Sequence, residues 1–190
     1  MSREPSTPPV EAPARAKVRK PSLVVVNTGD GKGKSTAAFG IMIRAVARGW
    51  KVAVIQFVKS GEWKVGEETI GRKLGVDWWA LGDGFTWDAD ELSESEAVAR
   101  EAWAFAAEKI RSGDYDMVIL DEVTYPMNWG WIDPVEVVET IRNRPPKVNI
   151  VMTGRDAPQG LIEIADTVTE MVKLKHPYDE GVMSRRGIDF

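Results

Sequence analysis

The sequence predicts an α/β fold, a single domain with a mostly parallel sheet and helices on both faces. Short apolar runs rich in β-branched residues alternate along the chain with longer segments rich in helix formers. Parallel strands need long crossover connections, which helices usually supply. A length of 190 residues is enough to bury one core without disulfides, and the chain has no cysteine. Polar and glycine-rich segments follow the apolar runs, where ligands of such sheets bind.

Six runs are predicted to be strands, and the first of them is short, apolar and rich in β-branched residues, as expected for a strand buried on both faces. In chain order they are 23–27, 52–58, 76–81, 117–120, 148–152 and 167–174.

Four segments between these runs are predicted to be helices, beginning at Lys34, Ser93, Asp133 and Gln159. Gly49 follows the first helix and should end it. Ser93 with Glu96 forms a capping box at the start of the second. Asp133 and Pro134 suit the cap and the first position of the third.

Composition limits the class of protein. Hydrophobic residues make up 43% and charged residues 28% of the chain, the balance of a soluble globular protein. No stretch approaches the roughly 20 apolar residues of a membrane helix, and the amino-terminal segment lacks the apolar core of a signal peptide. A net charge of -4 argues against bulk affinity for nucleic acid. We therefore expect a cytoplasmic protein that contacts neither membranes nor nucleic acid.

The charge is unevenly distributed along the chain. Residues 1–21 are basic and rich in proline, which predicts a flexible amino-terminal arm. Residues 22–190 are predicted to form the folded domain. The absence of cysteine excludes a thiol nucleophile and a thiolate zinc site.

A phosphate-binding loop is predicted between the first strand and the first helix, at 28–36, with the sequence Thr-Gly-Asp-Gly-Lys-Gly-Lys-Ser-Thr. Glycines let backbone N–H groups face phosphate oxygens, and the following helix offers the positive end of its dipole. Lys34 adds a point charge, and a hydroxyl can hold Mg²⁺. Gly29 stands four residues before Gly33, one fewer than in the Walker A motif, and Thr28 takes the usual glycine position.

The run from Met117 to Leu120 leads into Asp121 and Glu122 and matches a Walker B strand, whose carboxylates reach the Mg²⁺ that bridges the phosphates. Both motifs together predict nucleotide binding, but fold alone does not decide the chemistry. A kinase, an ATPase motor of RecA-like type, an adenosyl transferase and a nucleotide-sensing regulator without turnover all share them. Motors usually add a basic DNA-binding face, which the charge here does not supply.

Further motifs follow in order along the chain. They are 29–38 with its shortened loop, 54–57 with Lys59, Asp121-Glu122 with Tyr125, 153–158, 165–171, 175–181 and 187–190. With these motifs, residues 23–190 resemble the P-loop corrinoid adenosyltransferases, which act on cob(I)alamin or cob(I)yrinic acid a,c-diamide in bacterial cobalamin synthesis and salvage.

The resemblance implies a single P-loop domain of RecA-like type that uses ATP as co-substrate with Mg²⁺ or Mn²⁺. The reduced cobalt of the corrinoid substrate would attack C5′ of ATP and expel triphosphate. The resemblance also implies a homodimer. Because the chain has no redox group, a reduced flavoprotein is the expected electron donor.

The same resemblance assigns the site. Lys34 and Arg155 are predicted to be catalytic, and a guanidinium suits bidentate pairing with phosphate. Ser35 and Glu122 are the expected metal ligands. Nucleotide contacts are assigned to Arg155 and to Asn27, Thr28, Gly29, Asp30, Gly31, Lys32, Gly33, Lys34, Ser35 and Thr36.

On the corrin side, the resemblance assigns a catalytic role to Phe85 and Trp87. They lie in a glycine-flexed loop and would pack beneath the corrin, displacing the lower cobalt ligand. Trp129 and Trp131 are candidates for an apolar platform beside them. His176, the only histidine, is expected to be structural.

Overall fold

The computed structural model describes residues 18–60, 65–82, 84 and 89–189, with the backbone alone for 89–92. Within these ranges the strands are β1 (Val24–Thr28), β2 (Val52–Gln56), β3 (Asp77–Ala80), β4 (Met117–Asp121), β5 (Asn149–Thr153) and β6 (Thr167–Glu170). The helices are α1 (Lys34–Ala47), α2 (Gly66–Lys73), α3 (Ala89–Ser112), α4 (Thr124–Asn128), α5 (Pro134–Arg142) and α6 (Gln159–Ile164), followed by a short 3-10 helix at Pro177–Glu180.

The strands form one sheet in the order β3-β2-β4-β5-β1-β6, and each neighbouring pair is parallel. The predicted α/β class is confirmed. All the carboxyl ends meet at one edge of the sheet, so the segments after β1, β2, β4 and β5 converge there.

Alternate residues of each central strand pack on opposite faces of the sheet. One core contains Ile55 and Leu120 together with apolar residues of α3, α5 and α6. The other contains Val54 and Ile119 together with the buried face of α1. The predicted arrangement, a sheet with helices on both faces, is therefore confirmed.

Helix α3 begins at Ala89, four residues before the predicted start. Ser93 and Glu96 lie inside its first turns, so the predicted capping box does not open this helix. The cap of α5 is confirmed, since Asp133 Oδ1 accepts a hydrogen bond from the N–H of Val135 at 2.8 Å. Two short helices, α2 and α4, have no counterpart in the sequence prediction. Among the described residues no helix is long and apolar enough to span a membrane.

Candidate active site

The phosphate loop connects β1 to α1 at the carboxyl edge of the sheet. Lys34 is the first residue of α1, and its Nζ donates hydrogen bonds to the carbonyl oxygens of Gly29 at 2.7 Å and Gly31 at 2.8 Å. Asn27 Nδ2 donates to the carbonyl of Lys34 at 3.3 Å and ties the strand end to the helix start. Burial lowers the pKa of Lys34, and the positive charge of Arg155 lowers it further.

The glycines of the loop also allow another segment of the backbone to pack closely against it. The Gly31 N–H donates to the carbonyl of Met171 at 2.6 Å, and the Met171 N–H donates to the carbonyl of Thr28 at 2.8 Å. A Cβ on Gly31 would lie 2.8 Å from backbone atoms of Met171 and Val172. A Cβ on Gly29, where φ is +93°, would lie 2.6 Å from the Met171 carbonyl. The segment after β6 therefore crosses the loop at a distance that only glycine permits, a role that the sequence analysis missed.

The two carboxylates after β4 have different environments. Asp121 is fully buried and accepts hydrogen bonds from Thr153 Oγ1 at 2.7 Å and Gln56 Nε2 at 2.9 Å, with Lys59 Nζ at 3.7 Å. Glu122 lines the cleft above the phosphate loop. Burial raises the pKa of Glu122 to about 7, and the neighbouring charge of Asp121 contributes in the same direction. Glu122 is therefore the carboxylate available to a ligand of the cleft.

Arg155 follows β5 on a loop whose backbone is hydrogen-bonded to side chains of α4. Its carbonyl accepts hydrogen bonds from Thr124 Oγ1 at 2.6 Å and Asn128 Nδ2 at 3.2 Å. Gly154 has φ +143°, and a Cβ there would lie 1.9 Å from Thr124 Oγ1, so the position requires glycine. The Arg155 guanidinium stands free of the core, with Nε 3.7 Å from Asp30 Oδ1. Since both side chains are largely exposed, this ion pair leaves Arg155 able to turn toward a phosphate.

One cleft brings most of the predicted site together: Asp30, Gly31, Lys32, Gly33, Lys34, Ser35, Thr36, Glu122 and Arg155 line it. Asn27, Thr28 and Gly29 do not line it, and Asn27 and Thr28 are buried at the carboxyl end of β1. There Thr28 Oγ1 accepts a hydrogen bond from the N–H of Ala157 at 3.1 Å and joins the phosphate loop to the Arg155 loop. Phe85 and Trp87 lie outside the described residues.

The cleft also contains side chains that the sequence analysis did not assign to the site, among them Lys59, Glu67 and Asp189. Lys32 Nζ forms an ion pair with the carboxylate of Asp189, whose other oxygen accepts from the N–H of Arg185 at 2.7 Å. The signal for Lys59 and Asp189 was present, because both belong to motifs that carry the family resemblance. Their positions in the cleft follow only from the fold.

Aromatic side chains extend from the cleft along α4. The Tyr125 and Trp129 rings are 5.8 Å apart, and the Trp129 and Trp131 rings are 4.7 Å apart. Tyr125 lines the cleft, and burial raises the pKa of its hydroxyl. His176 Nδ1 accepts a hydrogen bond from the N–H of Tyr178 at 3.1 Å and so caps the 3-10 helix, while the same side chain lines the cleft. Its structural role stays a prediction.

Comparisons with known proteins identify the family of the chain. The family model described as ATP:corrinoid adenosyltransferase BtuR/CobO/CobP matches residues 20–190. A corrinoid adenosyltransferase of Sinorhizobium sp is 42% identical over 178 residues, which cover 92% of this chain and 83% of that protein. A corrinoid adenosyltransferase of Escherichia coli (strain K12) is 40% identical over 168 residues, which cover 88% of this chain and 85% of that protein. Because the family model spans nearly the whole chain and these relatives match along most of their own length, the chain belongs to the ATP:corrinoid adenosyltransferase family.

Proposed function

We propose that this protein transfers the 5′-deoxyadenosyl group of ATP to the reduced cobalt of a corrinoid and releases triphosphate. The observation that carries the proposal is the convergence of Lys34, Arg155 and Glu122 on one cleft at the carboxyl edge of the sheet. Two cationic side chains and the start of α1 suit a highly charged phosphate chain.

The chemistry explains why a transferase needs this arrangement. When the Co(I) of the substrate attacks C5′, the bond between C5′ and the phosphate oxygen breaks, and the triphosphate gains negative charge. Lys34, Arg155 and the backbone N–H groups at the start of α1 would face that charge. They stabilise the transition state more than bound ATP, which is the condition for accelerating the reaction.

The cleft also fits a divalent cation that accompanies ATP. Among the described residues, no three histidine, cysteine, aspartate or glutamate side chains form a metal site on their own. Mg²⁺ is commonly held by one or two protein oxygen ligands, substrate phosphates and water. Ser35 and Glu122 line the same cleft and supply such oxygens. When bound, Mg²⁺ or Mn²⁺ would neutralise part of the charge on the triphosphate.

A product analysis tests the function. The full chain is incubated with ATP, Mg²⁺ and chemically reduced cobalamin, and the visible spectrum and the phosphorus products are followed together. We expect adenosylcobalamin and triphosphate in equal amounts. Without adenosylcobalamin, orthophosphate would identify an ATPase motor and a phosphorylated acceptor would identify a kinase, and the absence of turnover would favour a nucleotide-sensing regulator.

The aromatic loop yields a separate prediction. Phe85→Ala and Trp87→Ala should slow the reaction that starts from Co(II) more than the reaction that starts from pre-reduced Co(I), because displacing the lower ligand makes Co(II) easier to reduce. The comparison requires rates from both starting states. Trp50→Ala is the control, since Trp50 is 39% exposed and precedes β2 at the opposite edge of the sheet. Equal losses from both states would contradict the proposed role of the aromatic loop.

Several further parts of the proposal rest on the sequence, some through the family resemblance and the others through composition and charge. They are the homodimer, the reduced flavoprotein donor, the cytoplasmic location, the choice between cob(I)alamin and cob(I)yrinic acid a,c-diamide, and the division into an arm at 1–21 and a domain at 22–190. Trp129 and Trp131 as a corrin platform stay a prediction, which their contact with the cleft residue Tyr125 supports.

A further inference from the structure

We infer that Gln56 is a positioning residue that fixes the backbone of Glu122 through a chain of directed hydrogen bonds. The inference rests on the proposed role of Glu122 as a ligand of the divalent cation that accompanies ATP. It assigns a function to a polar side chain that is fully buried.

Gln56 is the last residue of β2, and its side chain is fully buried. The indole Nε1 of Trp78 donates to Gln56 Oε1 at 3.0 Å, and Gln56 Nε2 donates to Asp121 Oδ2 at 2.9 Å. An indole N–H can only donate and a carboxylate accepts. The two neighbours therefore determine which end of the Gln56 amide faces which side.

The chain continues on the other oxygen of the same carboxylate. Thr153 Oγ1 donates to Asp121 Oδ1 at 2.7 Å, and the N–H of Glu122 donates to Thr153 Oγ1 at 2.8 Å. A hydroxyl has one hydrogen, so a threonine that donates to Asp121 presents its lone pairs to Glu122. Each link from Trp78 to Glu122 thus has one direction.

The end of the chain is a strained residue. Glu122 has φ +64°, a left-handed conformation that a residue with a long side chain rarely adopts. Such conformations persist where the surroundings determine them fully, and they cluster at functional sites. The hydrogen bond to Thr153 anchors the Glu122 N–H in this conformation. Both oxygens of Asp121 are engaged inside the protein, so of the two carboxylates that follow one another after β4 only Glu122 lines the cleft.

The rival explanation is that the network only satisfies buried polar groups. A purely structural network would contribute to stability without favouring any function of the cleft. If the network positions Glu122, its loss should lower the affinity for the cation more than the affinity for the nucleotide. Residues that orient metal ligands typically change metal affinity by about 10- to 100-fold when they are replaced.

The test uses the full chain and the variants Gln56→Met, Thr153→Val and Thr153→Ser. Electron paramagnetic resonance of free Mn²⁺ measures Mn²⁺ affinity in the presence of ATP, and calorimetry in EDTA measures metal-free ATP affinity. We expect Gln56→Met and Thr153→Val to lower the Mn²⁺ affinity about 10-fold or more. The affinity for metal-free ATP should stay within about twofold of the wild-type value. Thr153→Ser keeps the hydroxyl and should restore Mn²⁺ affinity.

Tyr115→Phe is the matched control. It removes the 2.9 Å hydrogen bond that the Tyr115 hydroxyl donates to Asp77, and this bond lies away from the cleft. It should lower the melting temperature and leave Mn²⁺ affinity unchanged. Unchanged Mn²⁺ affinity in Gln56→Met and Thr153→Val would overturn the inference, and so would an equal loss of metal-free ATP affinity. If the wild-type protein binds ATP but no Mn²⁺, the proposed metal role of Glu122 fails first.

Discussion

Replacing Lys34 by alanine should abolish ATP binding at the concentrations that saturate the wild-type protein. The Lys34 ammonium lies between the carbonyls of the phosphate loop, at the start of α1, where a triphosphate would meet it. Removing one charged donor from such a site typically lowers the rate by about 100- to 1,000-fold. Calorimetric titration with ATP measures the loss of binding, and formation of adenosylcobalamin measures the loss of activity.

The control for this substitution is Lys147→Ala. Lys147 is an exposed lysine that precedes β5, at the edge of the sheet opposite the cleft. The Lys147→Ala substitution removes the same charge from the protein without changing the phosphate loop, so ATP affinity should be unchanged. If Lys34→Ala binds ATP as tightly as the wild type, the loop is not the nucleotide site.

Glu122→Gln should lower the rate of adenosyl transfer by on the order of 100-fold and should also lower the affinity for the divalent cation. The substitution keeps the shape of the side chain and removes only its capacity for charge. The pKa of Glu122 is raised to about 7 by burial and then by Asp121, so the ionised form is disfavoured in the folded protein. Relative to the wild type, the free energy of unfolding of Glu122→Gln should rise as the pH increases from about 4.5 to about 7 and stay higher above that, because the unfolded wild-type chain ionises this group in that range and the folded protein resists ionisation.

A thermal melt beside the Mn²⁺ titration separates these effects. Glu67→Gln is the control, since Glu67 lines the same cleft in the first turn of α2 and has no assigned role. It should change Mn²⁺ affinity by less than about twofold, as expected for a half-exposed charge. Equal losses in Glu67→Gln and Glu122→Gln would mean that the cation responds to the total charge of the cleft and not to a specific ligand.

The centre of the sheet could be predicted because β1, β2, β4 and β5 are largely buried apolar runs, and that pattern is visible residue by residue. The edge strand β6 is exposed throughout and ends at Glu170, four residues before the end of the predicted run. Helix α2 gave no such signal, since Gly71 is its only buried residue and the helix has no apolar face of its own. The predicted start of α3 was wrong for a related reason. Serine and glutamate three residues apart also fit within a helix, so the Ser93–Glu96 pattern does not by itself mark the first residue of a helix.

The site was predictable where its chemistry is local. Lys34, Ser35 and Glu122 belong to contiguous motifs, and all three line the cleft. The contact between Gly31 and Met171 joins residues that are far apart in sequence, and strand order alone brings them together. The position of Gln56 beneath Asp121 likewise depends on the pairing of β2 with β4.

The two carbonyl contacts of Lys34 bear on the thermodynamics of nucleotide capture. A lysine that is ordered only when its ligand arrives loses up to about 2 kcal/mol of rotamer entropy at that moment. Here the loop itself already holds the ammonium, so this loss belongs to folding and not to binding. The loop carbonyls act as placeholders for phosphate oxygens, and ATP would exchange one set of acceptors for another without first recruiting a mobile side chain. Such preorganisation raises affinity without adding any contact.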